Sequence, residues 1–96
     1  MISKTEHPHV IVDKNRGDSE PIIRGTKTTV RAIVELWRLG IHPEEITQHL
    51  PHISLAQTFD ALSYYSENKK QINEYINRNH VPNDLVYPAL RPNNSH

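Results

Sequence analysis

The spacing of apolar residues changes along the chain, and each change predicts an element. His9-Val10-Ile11-Val12-Asp13 is rich in β-branched residues and stops at the polar run Lys14–Ser19. Pro21-Ile22-Ile23-Arg24-Gly25-Thr26 follows as a second short extended piece, with Gly25 placed to end it. Together they predict a β-hairpin or paired arm over residues 1–28. Two strands alone are marginal in water, so the arm must pack on helices or on another chain.

After Thr29 the period becomes helical. Val30, Ile33, Val34 and Trp37 fall at i, i+3, i+4 and i+7. Thr29 suits the N-cap and Gly40 the stop, which predicts a helix over 30–39. Pro43 with Glu44 and Glu45 marks a second start, where Ile41 can clasp Ile46 and Pro51 forces the end near Leu50. Ser54-Leu55-Ala56-Gln57 is a capping box. Leu55, Phe59, Leu62 and Tyr65 continue an apolar stripe, Lys69 interrupts it, and Ile72 and Ile76 resume it. The stripe fits one long helix to about Asn79 or a bend near Asn68. One long helix is the preferred reading, because no Gly or Pro lies between Ser54 and Val81. Trp37, Phe59 and Tyr65 are expected in the core. Tyr64 and Tyr75 lie off the stripe, as boundary packing or partner contacts. From residue 80 the helix signals cease, and Pro82, Pro88 and Pro92 sit among Asn, Ser and His around one apolar island, Leu85–Leu90.

The fold expected is mainly α. A three-helix helix-turn-helix core over 29–79 follows the arm, with a long third helix and an extended or disordered tail over 80–96.

Composition narrows the function. Ninety-six residues, 35% of them hydrophobic, allow one small domain. No apolar run approaches the length of a membrane span, and no hydrophobic leader opens the chain, so a cytoplasmic protein is expected. Cysteine is absent, which excludes thiolate metal sites and cysteine nucleophiles. The net charge is zero but unevenly spread: residues 32–67 carry only Arg38 against Glu35, Glu44, Glu45, Asp60 and Glu67. A glycine-rich phosphate loop, a Ser-His-Asp set and paired acids with a base are all missing, so no enzyme and no cofactor is expected. The histidine pairs His7/His9 and His49/His52 lack the further ligand a closed metal site needs, so no metal is expected.

The ordered run Pro21–Lys27, Val30, Leu39–Ile46, Leu50–Ile53 and Ala61–Tyr65 resembles the domain of unknown function 433 family, over roughly residues 9–72. The resemblance implies a homeodomain-like three-helix core behind short strands. It also implies a VapB-type antitoxin, often paired with a PIN-like nuclease toxin, with no catalysis of its own. Three residues depart from the family pattern. Ser19-Glu20 replaces a Gly-Lys or Gly-Arg pair, and Lys27 replaces an arginine after Gly-Thr, which trades a bidentate fork for a point charge.

Candidate sites follow from these readings. Arg24-Gly25-Thr26-Lys27 is either a surface-salted strand end or a basic loop whose amides receive a phosphate or carboxylate. Ser54, Ala56, Gln57, Thr58 and Asp60 are expected to face outward at the start of the recognition helix. Gln57 suits an adenine but is also the capping partner. The acidic middle makes docking by that surface alone unattractive, so Lys14, Arg16, Arg24, Lys27 and Arg31 would supply the charge for double-stranded DNA, with Gln57 and Thr58 contacting it. Leu85, Val86, Tyr87 and Leu90 are expected to anchor a partner. Arg91 would enter an acidic pocket such as the carboxylate-lined site of a PIN-like nuclease. The expected function is an antitoxin-like binding module, a homodimer or hetero-complex, with operator DNA as a second ligand. The alternatives are a stand-alone helix-turn-helix regulator and a purely structural dimerisation module.

Overall fold

The computed structural model describes residues 2–13 and 19–79. Its elements run β1 (Ile2–Lys4), β2 (Val10–Asp13), β3 (Ile22–Ile23), α1 (Val30–Arg38), α2 (Pro43–His49), α3 (Leu55–Glu67) and α4 (Lys69–Arg78). The fold is mainly helical.

The arm is a three-stranded antiparallel sheet, ordered β1-β2-β3, rather than a bare hairpin. β2 pairs with β3 through Val10↔Ile23 and Ile11↔Ile22, as the sequence suggested. β1, which the apolar pattern did not mark, pairs on the other edge through Ile2↔Asp13, Ser3↔Val12 and Lys4↔Ile11. Val10 and Ile23 enter the common core with Val30, Ile33, Val34, Ile46 and Ile53. The sheet therefore satisfies the need for a packing partner by lying on the helices.

The caps fall where the sequence placed them. The Thr29 hydroxyl accepts the Ala32 N–H at 3.0 Å. Ser54 Oγ accepts the Gln57 N–H at 3.1 Å, and Gln57 Oε1 accepts the Ser54 N–H at 2.7 Å. Pro43 opens α2, with Glu44 and Glu45 in its first turn. Gly25 (φ +81°) and Gly40 (φ +91°) hold left-handed turns that a side chain would strain.

Two expectations need correction. The long third helix is broken at Asn68, whose backbone (φ −136°, ψ 39°) leaves the helical region. Its side-chain amide donates to the Tyr64 carbonyl at 3.0 Å, and its own N–H shifts to the Tyr65 carbonyl. This is the local competition by which asparagine ends a helix without glycine or proline. The break lets α4 pack on α1 and brings Ile72 into the core with no exposed surface.

The core stripe is also displaced. Phe59 is 50% exposed, Trp37 44% and Leu55 39%, whereas Thr58, Ala61 and Tyr64 face inward. Small side chains at 58 and 61 allow close packing under α1. Thr58 is buried at no polar cost because its hydroxyl donates to the Ser54 carbonyl at 3.0 Å. Leu55 and Phe59 are thereby turned outward, and Leu62 and Tyr65 to the margin of the core.

Candidate functional site

The rotation of α3 creates an apolar strip on the outside of the molecule. Leu55, Phe59, Leu62 and Tyr65 recur at helical spacing along α3; the first two are exposed and the last two lean on the core. Trp37, at the end of α1, meets Tyr65 edge-on with ring centroids 6.3 Å apart. The strip continues through Asn73, whose Oδ1 accepts from the Tyr65 hydroxyl at 3.2 Å and lies 3.5 Å from Arg38 Nη1. Beyond it, Leu39 is 77% exposed and lines an open hollow of about 200 Å³ with Glu35, Arg38 and Ile76. α3 itself contains no lysine or arginine, only Asp60 and Glu67 among charged residues.

A second face is polar. Arg24 and Lys27 are exposed on the turn between β3 and α1. That turn is fixed by the Ile23 N–H donating to the Thr28 carbonyl at 2.8 Å and the Thr26 hydroxyl donating to the Ile23 carbonyl at 2.9 Å. Thr28 Oγ1 then meets His52 Nε2 at 2.7 Å, which ties the basic turn to the α2–α3 turn and the capped start of α3. Arg24, Lys27 and Gln57 thus share one region of the molecule.

Other expected DNA contacts are placed differently. Thr58 is buried, which corrects its outward assignment. Asp60 also turns inward: its Oδ2 accepts the His9 N–H at 2.7 Å, and its Oδ1 lies 3.4 Å from His7 Nδ1. Arg31 is engaged on both sides, by Glu20 Oε2 at 2.7 Å and Glu35 Oε1 at 3.1 Å. Burial opposes the Arg31 charge, but the hydrogen bond and charge of Glu20, with Glu35 behind it, hold its pKa above the ordinary value. A guanidinium committed in this way locks the segment before β3 to α1 and is poorly placed to reach a phosphate. Lys14 and Arg16, and the expected partner contacts Leu85, Val86, Tyr87, Leu90 and Arg91, lie outside the described residues.

The histidines serve the arm and the turns. His7 Nε2 meets Glu67 Oε1 at 2.6 Å, while Asp60 faces the other ring nitrogen and the edge of Tyr64 lies 5.4 Å away by ring centroids. The two carboxylates flank opposite sides of the ring instead of converging on a point. Among the described residues, no group of three or more His, Asp or Glu side chains is arranged to hold a metal ion. No helix among them is long and apolar enough to cross a membrane.

Sequence reasoning missed the exposed strip because a helix with two apolar arcs does not reveal which arc is buried. The available signal was the Thr58/Ala61 pair, small enough for close helix contact. Glu20 was also missed. It is 2% exposed and anchors Arg31.

Comparison with known proteins bears on the same segment. No curated protein and no solved structure matches the chain. A family model described as Protein of unknown function (DUF433) matches residues 10–65, from the start of β2 to the tyrosine beneath Trp37. With more than half of its length inside that match, the chain belongs to the DUF433 family.

Proposed function

We propose that this chain is a non-catalytic, antitoxin-like binding module whose partner is a PIN-like nuclease. The observation that carries the reading is the outward face of α3, which presents Leu55 and Phe59 to solvent and bears no cation. Exposed aromatic and aliphatic side chains gathered on one face suit a protein partner, and their desolvation supplies the binding energy. The same face suits a DNA groove poorly, because baseline affinity for DNA comes from neutralising phosphates. The PIN-like identity of the partner rests on the family resemblance. The homeodomain-like arrangement of α1, α2 and α3 belongs to the same proposal, with α3 working as a protein-binding helix. Inhibition would follow from covering the nuclease cleft, with residues 85–91 as further anchors. Operator DNA is the second ligand, met by Arg24 and Lys27 when a dimer or hetero-complex brings two such turns together.

The test is co-expression with the product of the neighbouring open reading frame, followed by affinity measurement on the purified pair. Phe59→Ser with Leu55→Ser is expected to weaken the complex about 30-fold or more, the scale of a hot spot of about 2 kcal/mol. The unfolding midpoint should move little, since both side chains are exposed. Unchanged affinity would remove the strip from the interface. A mobility shift of DNA by the protein alone, falling steeply with salt, would favour the stand-alone regulator instead.

A further inference from the structure

The apolar strip ends at the hollow between α1 and α4, and the position of that hollow points to an occupant within the chain. We infer that the segment Leu85–Leu90 docks in cis over Leu39 and Ile76 when no partner is bound, covering that end of the strip. The inference does not depend on the nuclease reading.

Three observations support it. The first is position. Ile76 lies in the last turn of α4, which ends at Arg78, so the described chain stops at Asn79 within a turn of the hollow. From Asn79 to Leu85 the chain can span about 20 Å, at about 3.3 Å per extended residue. That is ample to turn back by one helical turn, and the loop is short enough for a small closure entropy. The second is chemistry. Leu39 is the most exposed of the described large hydrophobic residues at 77%, and Leu85-Val86-Tyr87-Pro88-Ala89-Leu90 is the apolar island of the following sequence. The third is charge. Glu35 and Arg38 rim the hollow, and Asp84 and Arg91 flank the island. An orientation that sets Asp84 against Arg38 pairs opposite signs at the end of the island nearer α4.

Docking of this kind makes the segment an intramolecular competitor at the Leu39 end of the strip. A partner that takes Leu85–Leu90 as anchors would strip the cover from Leu39 in the same event, so the two surfaces would become available together.

The chain contains no cysteine, so a nitroxide at Ala89→Cys gives one label in the full-length protein. Paramagnetic broadening is read on the free chain. At least a twofold loss of amide intensity is expected at Leu39 and Ile76, with Glu45 in α2 as the reference. Adding Leu85→Ser and Leu90→Ser to the labelled chain should restore the lost intensity. Equal intensities at Leu39 and Glu45 would overturn the inference. So would broadening that appears only when labelled chain is mixed with unlabelled, isotope-enriched chain, because the occupant would then be a second copy. Either result leaves the nuclease measurement unaffected, since no partner is present.

Discussion

Phe59 and Ile72 lie on the same apolar stripe in sequence, before and after its interruption at Lys69, yet the structure assigns them opposite roles, and their truncation to alanine separates the two accounts. Ile72 has no exposed surface and sits among Ile33, Val34 and Tyr64 in one cluster. Removing its branched side chain forfeits the transfer energy and leaves a cavity, at a cost of about 2–5 kcal/mol. Phe59 is 50% exposed. Full burial of such a ring is worth about 1.5–3 kcal/mol, so truncating one that is half in water should cost about 1 kcal/mol or less. A domain of roughly seventy residues holds about 4–10 kcal/mol in total. Ile72→Ala should therefore bring the protein close to unfolding at room temperature, while Phe59→Ala stays folded. Urea titrations followed by circular dichroism, fitted to two states, give both values. A loss above about 2 kcal/mol for Phe59→Ala would return Phe59 to the core. The face offered to a partner would then have to be sought elsewhere.

Two further outcomes follow from the described contacts. Arg31→Met withdraws the guanidinium from Glu20, a carboxylate 3% exposed, and should cost about 1.5–3 kcal/mol, the range for hydrogen bonds to charged groups; a loss within about 0.5 kcal/mol, the usual surface value, would show that the pair contributes nothing to the fold. Burial holds the Tyr64 hydroxyl pKa above the ordinary value of 10.0, against the hydrogen bond to Gln71 and with a further push from Tyr75. A phenol whose native pKa is raised contributes stability below the unfolded value and loses it as pH climbs past that value. Unfolding free energy should accordingly fall above about pH 10 in the parent and more weakly in Tyr64→Phe, as read from urea midpoints across that range.

The sequence was most informative where the backbone makes local demands. Thr29, Pro43, Ser54 with Gln57, Gly25 and Gly40 each satisfy or permit a particular backbone geometry, and each stands where the pattern put it. It was least informative where the answer depends on a neighbour. Asn68 ends α3 through its own side chain, a choice that becomes favourable only when α4 has α1 to fold against. The inward arc of α3 is decided by how closely α1 can approach, and hydropathy ranks Phe59 above Thr58 regardless. The buried Glu20–Arg31 pair joins residues eleven apart across a strand and a cap, beyond the reach of any periodicity. The basic turn was legible as Arg24–Lys27, but its junction with the α2–α3 turn through Thr28 and His52 is a tertiary fact.

The bend at Asn68 has a consequence for where the working unit stops. The family match closes at residue 65, but Ile72 plugs the interior from the helix beyond the bend. A fragment trimmed to the family boundary would lose that plug and open the interior beneath α1 to water. Whatever the recurring segment does elsewhere, in this chain it stands upright only with the helix that follows it.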